Sequence, residues 1–241
     1  VVELVASDAV ANEFTAGAAR FVIVRNGGET NLPALAVSYT IGGNAAAGVD
    51  YGALSGSVTL ASGAAATNIF ITPIADSAVE GDETVALTLQ PSPNYTLNSL
   101  SNATAIIRDQ PVDAWRKTNF TAGELGNSAS SGDLANPDGD SLANLMEYAL
   151  GLPPKIAGTN AFAPRIENGY LTLTYTRAKA ATDVSLTLEK SDDLSTWQNT
   201  PGLFQQVSLV DSGATETITV RLSSPISAVT TAYIRLKVTR L

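Results

Sequence analysis

Apolar and polar residues alternate in short runs over the first 111 positions, and the runs are separated by Gly, Asn, Ser and Pro. That pattern is the strand-and-turn signature of an antiparallel β-sandwich. It predicts strands at Val2 to Ala6, Arg20 to Arg25, Leu35 to Ile41, Leu54 to Leu60, Thr67 to Ile74, Thr84 to Gln90 and Ala103 to Arg108. In Phe21-Val22-Ile23-Val24 and Ile69-Phe70-Ile71 the apolar density is too high for a free surface strand, so two sheets must cover these segments.

Near residue 112 the period changes. Asp113 to Asn119 fits a short helix carrying Trp115, and the Gly/Ser/Asn-rich stretch from Thr121 to Gly132 is unsuited to a continuous element. Leu142, Leu145, Met146, Ala149 and Leu150 then recur at the spacing of one helix face. Gly151 and the pair Pro153-Pro154 end that helix, because Gly accepts the left-handed cap and Pro cannot continue the hydrogen-bond ladder. A helix this short must dock on something to persist. From Tyr170 the period returns to two. Leu171, Leu173 and Tyr175, then Val184, Leu186 and Leu188, then Ile218 with Val220, and Tyr233 to Val238 predict a second, smaller β domain. The expected organisation is therefore residues 1–111, a linker over 112–155, and residues 156–241.

Charge sharpens this division. The chain of 241 residues carries 14 basic and 23 acidic groups, net −9. Residues 1–111 hold three basic and ten acidic groups, residues 112–155 three and six, and residues 156–241 eight and seven. An acidic surface repels phosphate backbones, which argues against a nucleic-acid partner. The chain has neither Cys nor His, which excludes disulfides, thiol nucleophiles, Ser-His-Asp triads and almost all zinc chemistry. Oxygen-ligand chemistry remains, and it favours calcium or magnesium. No run of 18 apolar residues provides a membrane span. The first residue is Val1 rather than Met, as expected of a processed chain or a piece of a longer one.

The sharpest local signal is Asn136-Pro137-Asp138-Gly139-Asp140-Ser141-Leu142-Ala143-Asn144-Leu145-Met146-Glu147. With Asn136 at position 1, oxygen-bearing side chains stand at positions 1, 3, 5, 9 and 12, the spacing of an EF-hand loop. A hard cation needs six to eight oxygens at roughly 2.3 to 2.6 Å, and a tight turn entering a helix can converge them. Asn136, Asp138, Asp140, the Leu142 carbonyl, Asn144 and Glu147 are the candidate Ca2+ ligands. Position 1 is Asn where Asp is usual, and position 6 is Ser141 where Gly normally makes the turn. The same residues would also form an Asx-rich turn that merely caps the helix. The string from Asn136 to Leu152 further resembles the calcium loop and helix, related to dockerin and thrombospondin-type-3 loops, found near the C-termini of large secreted bacterial proteins. In those proteins a β region with a string like Ser191-Asp192-Asp193-Leu194-Ser195-Thr196-Trp197 commonly follows.

In the first segment, Gly48-Val49-Asp50-Tyr51, Gly56-Ser57-Val58-Thr59-Leu60 and the string from Ile74 to Thr84 containing Glu80-Gly81-Asp82-Glu83 together resemble the Calx-β domain. The resemblance implies an immunoglobulin-like sandwich whose loops hold calcium at one end. Carried over by position, the candidate ligands are Glu13, Asp50, Asp76, Glu80 and Asp109. The acidic pair expected before the E-G-D-E string is here Ala75-Asp76, and the closing acidic cluster is only Arg108-Asp109-Gln110. One weak site is therefore expected in place of a cluster of several ions, with Asp82 and Glu83 solvated. The alternative is that these acids only keep loop tips soluble.

Trp115 and Trp197 are expected as packing anchors, with sugar stacking as the sharper alternative. Asp192 and Asp193 are unsuited to a catalytic pair, since neighbours on a strand point to opposite faces. The expected fold is mainly β: a Calx-β-like sandwich, a short helical calcium-loop linker, and a second small antiparallel sandwich. The expected function is a non-enzymatic, calcium-binding, extracellular module for bacterial cell-surface adhesion or matrix architecture. The alternatives are a non-catalytic, glycan-binding tail of a secreted enzyme, and a fibre subunit in which Val2 to Ala6 pairs with another copy.

Overall fold

The computed structural model describes residues 1–27, 32–76, 78–158, 162–229 and 231–241. The chain divides into two compact units, Val1–Ala114 and Trp115–Leu241, so residues 115–155 fall in the second.

The first unit contains β1 (Val2–Asp8), β2 (Val10–Asn12), β3 (Ala19–Arg25), β4 (Leu35–Gly43), β5 (Ser57–Leu60), β6 (Ala66–Ile71), β7 (Glu83–Leu89) and β8 (Asn102–Arg108). They form a three-stranded sheet ordered β1-β3-β6 and a five-stranded sheet ordered β2-β8-β7-β4-β5. All neighbours are antiparallel except β2 and β8, which run parallel. Leu4, Phe21, Ile23 and Ile71 from one sheet, with Val37, Val85, Leu87 and Ile107 from the other, form a single apolar core. The alternation in Phe21-Val22-Ile23-Val24 places Phe21 and Ile23 in that core and leaves Val22 and Val24 half-buried, so the dense run is explained by one strand serving both faces. Strand β1 is not a free edge. The amides of Val2 and Leu4 donate to the carbonyls of Thr96 (2.8 Å) and Leu100 (2.7 Å).

Helix α1 (Pro111–Asn119) carries the boundary between the units. Two single-turn helices follow, α2 (Ala122–Leu125) and α3 (Ser128–Ser131), then α4 (Asn144–Leu150). The strands of the second unit are β9 (Ala163–Glu167), β10 (Tyr170–Ala178), β11 (Val184–Ser191), β12 (Phe204–Asp211), β13 (Thr215–Leu222) and β14 (Tyr233–Arg240). They form an antiparallel sheet ordered β12-β13-β10-β9 and a two-stranded sheet of β11 and β14. Leu150, Leu173, Tyr175, Ile218, Val220 and Leu236 form the core, against which Leu142 and Met146 pack.

Helix α4 is thus docked by the face its spacing marks out. Leu142 lies before the helix rather than in it, because its amide donates to Asp140 Oδ1 (2.8 Å) and Ala143 is extended. Gly151 closes the helix at φ 75°, a backbone conformation natural to glycine. Two side-chain bonds fix the helix further: the Thr176 hydroxyl donates to the Leu150 carbonyl (2.8 Å), and the Tyr148 hydroxyl to Asp183 (2.5 Å). Among the described residues, no helix is long and apolar enough to cross a membrane.

Candidate metal centres

In the second unit the loop before α4 is built by its own side chains. Pro137 fixes one dihedral of the turn and Gly139 takes φ 75°. Asn136 Oδ1 accepts the amides of Gly139 (2.8 Å) and Asp140 (3.3 Å), so the Asx turn expected from the sequence does form. Asp138 Oδ1 accepts the Asp140 amide (3.2 Å), and Asp140 Oδ2 accepts the Gly158 amide (2.8 Å). These bonds leave a defined set of oxygens over. Asp138, Asp140 and Glu147 each present a carboxylate oxygen within 4.8 Å of the other two.

A bare helix cap does not account for what lies behind those oxygens. Glu147 is 1% exposed, and both of its carboxylate oxygens are buried without a hydrogen-bond partner. Asp138 Oδ2 and Asn144 Oδ1 are in the same condition. Asn144 is oriented by its amide nitrogen, which donates to the carbonyls of Ser130 (3.0 Å) and Gly132 (2.9 Å). A buried, unpartnered carboxylate is among the costlier features a protein can carry. Burial, and then the charges of Asp138 and Asp140, push the Glu147 carboxyl up to about 7. The donor set is all oxygen, carries up to three negative charges and lacks its counter-charge. It fits a hard divalent cation such as calcium, held by Asp138, Asp140 and Glu147 with Asn144 Oδ1 as a neutral donor. Asn136 contributes to the turn through Oδ1, and Leu142 anchors the loop to the core.

Ser141 takes φ 84°, the left-handed conformation that position 6 demands. A residue with a Cβ pays about 1 kcal/mol there. Ser141→Gly is expected to raise the melting temperature of the second unit and tighten calcium binding about five-fold, read by calorimetry. Unchanged affinity and stability would show that the loop is not strained at this position.

In the first unit, sheet register brings the acids together. β2 and β8 pair in parallel with Asn12 opposite Arg108, and β8 pairs with β7 so that Ile107 faces Glu83. Glu13, Asp109 and Glu83 are therefore placed within a residue or two of one rung at one end of the sheet. The turn after β4 adds Asp50, and the connection into β7 adds Asp76 and Glu80. Asp50, Glu80 and Glu83 present oxygens within 4.8 Å of one another. Glu83 was expected to be solvated with Asp82. Asp82 is exposed, but Glu83 begins β7 half-buried and turns into the cluster.

Asp50 is 3% exposed; its Oδ2 accepts the Ala46 amide (2.5 Å) and its Oδ1 is buried without a partner. Asp109 is spent on backbone amides, those of Gly81 (2.7 Å), Glu80 (3.2 Å) and Gln110 (2.7 Å), and Asp76 accepts the Ala78 amide (2.7 Å). Buried Glu13 is pushed up to about 7 by burial first, then by the charges of Asp109, Asp76, Glu80 and Asp50. All five candidates thus share one field, and Glu83 joins them.

The tryptophans are engaged. The Arg235 guanidinium lies 4.0 Å from the ring centre of Trp197, and its Nε donates to Glu189 (2.6 Å). Trp115 packs against Phe120 and Tyr148, with ring centres 6.0 and 5.4 Å away.

Residues 1–111 match the family described as "Calx-beta domain". Comparison with curated proteins finds no match. Among solved structures, the apo-form Calx CBD1 domain is 24% identical, with 45% of this chain and 97% of that chain covered, at a TM-score of 0.37. The calcium-binding domain CBD12 of CALX1.1 is 16% identical, with 97% and 78% covered, at 0.41. The D0-D1 domain of Intimin is 15% identical, with 100% and 93% covered, at 0.31. The family match covers residues 1–111, which lie within the first unit and make up less than half of the chain.

Proposed function

We propose that the chain is a non-catalytic calcium-binding module of a bacterial cell surface or extracellular matrix, serving adhesion or architecture, with one cation site in each unit. The observation that carries the reading is Glu147, whose two carboxylate oxygens are buried beside Asp138 and Asp140 with nothing to bond. The orphaned Asp50 Oδ1 beside Glu80 and Glu83 supports the same reading for the first unit.

Affinity bears on location. Asn136 leaves the loop one charge short and Ser141 adds backbone strain, which supports weak binding, with a dissociation constant of roughly 10⁻⁴ to 10⁻³ M, the range that extracellular modules use. Such a site fills only where calcium is abundant, which supports an extracellular setting. The alternatives draw no such support: Arg235 occupies a face of Trp197, where a sugar would stack, and residues 96–100 cover part of the β1 edge that a fibre would use.

Thermal unfolding in chelator and in millimolar calcium tests the reading. Each unit is expected to melt at a higher temperature in calcium, since a ligand at one to ten times its dissociation constant adds about 0.4 to 1.4 kcal/mol. Identical melting curves would sink it.

A further inference from the structure

We propose that the cation site of the second unit also governs the order of the stretch upstream of it, residues 121–135. This rests on the reading of Asp138, Asp140 and Glu147 as a cation site, and extends it to a part of the chain that holds none of the three carboxylates.

The stretch has almost no core of its own. From Thr121 to Ala143 the only buried residue is Ser131, and Leu134 is 89% exposed. Helices α2 and α3 are four residues each, far below the length of about 12 at which a helix begins to hold by itself. What fixes the stretch is polar. The Asn144 amide side chain donates to the carbonyls of Ser130 and Gly132, the Asn144 backbone amide donates to Ala135 (2.8 Å), and the Leu145 amide to Asp133 (3.0 Å). The Asp133 carboxylate receives Arg116 (2.5 Å) and Arg240 (3.0 and 3.2 Å). Lys155 reaches Glu124 (2.6 Å).

Four of these bonds end on Asn144 and Leu145, in the first turn of α4 and within three residues of Glu147. The turn from Asn136 to Ala143 is the excursion between the two anchored ends. With the three carboxylates ionised and no ion among them, their repulsion drives that turn away from α4 and loads the bonds on Asn144 and Leu145. A cation reverses the sign: it draws the turn onto the helix, fixes Asn144 through Oδ1, and so holds the Ser130, Gly132 and Asp133 carbonyls against the first turn. Residues 121–135, which lack apolar anchorage, are then ordered only while the ion is bound. The two β-sheets of the unit, closed over their own core, stay folded without it.

Hydrogen exchange on the whole chain, in chelator and in millimolar calcium, tests this. Cation binding at the loop is read in parallel by terbium luminescence sensitised by Tyr148 and Trp115, with Glu147→Gln assigning the signal to this site. In calcium the amides of Ser131, Gly132, Asn144 and Leu145 are expected to exchange about ten-fold more slowly than in chelator, those of β13 staying protected in both buffers. Cleavage after Glu124 by a glutamyl endopeptidase is expected to slow in parallel. A terbium signal lost in Glu147→Gln, with slowed exchange confined to residues 136–143 and 146–147, overturns the inference and leaves the cation site standing. No terbium signal at the loop overturns both.

Discussion

Glu147→Gln is expected to stabilise the second unit in chelator and to destabilise it, relative to the parent, in calcium. The two signs have one cause. Without an ion the carboxylate is buried beside Asp138 and Asp140 with neither oxygen bonded, so an uncharged side chain of the same shape relieves about 2 kcal/mol of repulsion and desolvation. With an ion the same carboxylate is the most buried donor of the set. In calcium raised until both proteins are saturated, its loss, lowering affinity about 100-fold, removes about 2.7 kcal/mol of ligand-linked stability, more than the relief gained in chelator. Urea unfolding of parent and variant in the two buffers reads both numbers. A change of the same sign in both would show that Glu147 serves packing and not a cation.

Acidity should move the metal-free and calcium-loaded proteins in opposite directions. Glu13 and Glu147 titrate near 7 in the folded chain against 4.5 for an unperturbed glutamate. A raised carboxyl favours the protonated folded state, so the stability it contributes is fully present below pH 4.5 and is lost as pH rises through about 7. At 1.36 kcal/mol per pH unit, and after solvent screening, this amounts to about 2 kcal/mol for each group. Metal-free protein is therefore expected to melt at a higher temperature at pH 5 than at pH 8. In calcium the order inverts, because the ion needs both carboxylates ionised and proton and cation compete for the same oxygens. Melting temperatures that ignore pH in chelator would contradict the buried, unpaired state of both residues.

The elements legible in the sequence are those whose side chains alternate between core and solvent. β3, β7, β10 and α4 all declare themselves because one face of each is buried against an apolar partner. The strands that escaped lack that contrast. β2 is three residues long and is held by parallel pairing to β8, which no local pattern encodes. In β12 seven of eight residues are exposed, and a register shift between Gln206 and Ser208 breaks the alternation, leaving Val207, Leu209 and Val210 out of phase. β9 contains Pro164, which argues against a strand in sequence and is tolerated at a sheet edge.

The candidate sites divide in the same way. The loop from Asn136 to Glu147 is local, so spacing alone places its donors. The first-unit cluster is assembled by register, and Glu83 is its lesson: among Glu80, Asp82 and Glu83, only the strand boundary decides which side chains face inward. The burial of Glu147 was equally invisible, since it follows from how α4 docks on its core.

One further consequence lies in the pairing of β2 with β8 and of β1 with residues 96–100. The first unit joins Val10–Asn12 to its last strand, so the chain must close over almost a hundred residues before the five-stranded sheet is complete. On the ribosome this sandwich has to wait for Arg108 to emerge. Until then β7, paired with β4 on its other side, offers β8's place to any passing strand, and newly made chains at high local concentration are at risk of exchanging that strand with a neighbour.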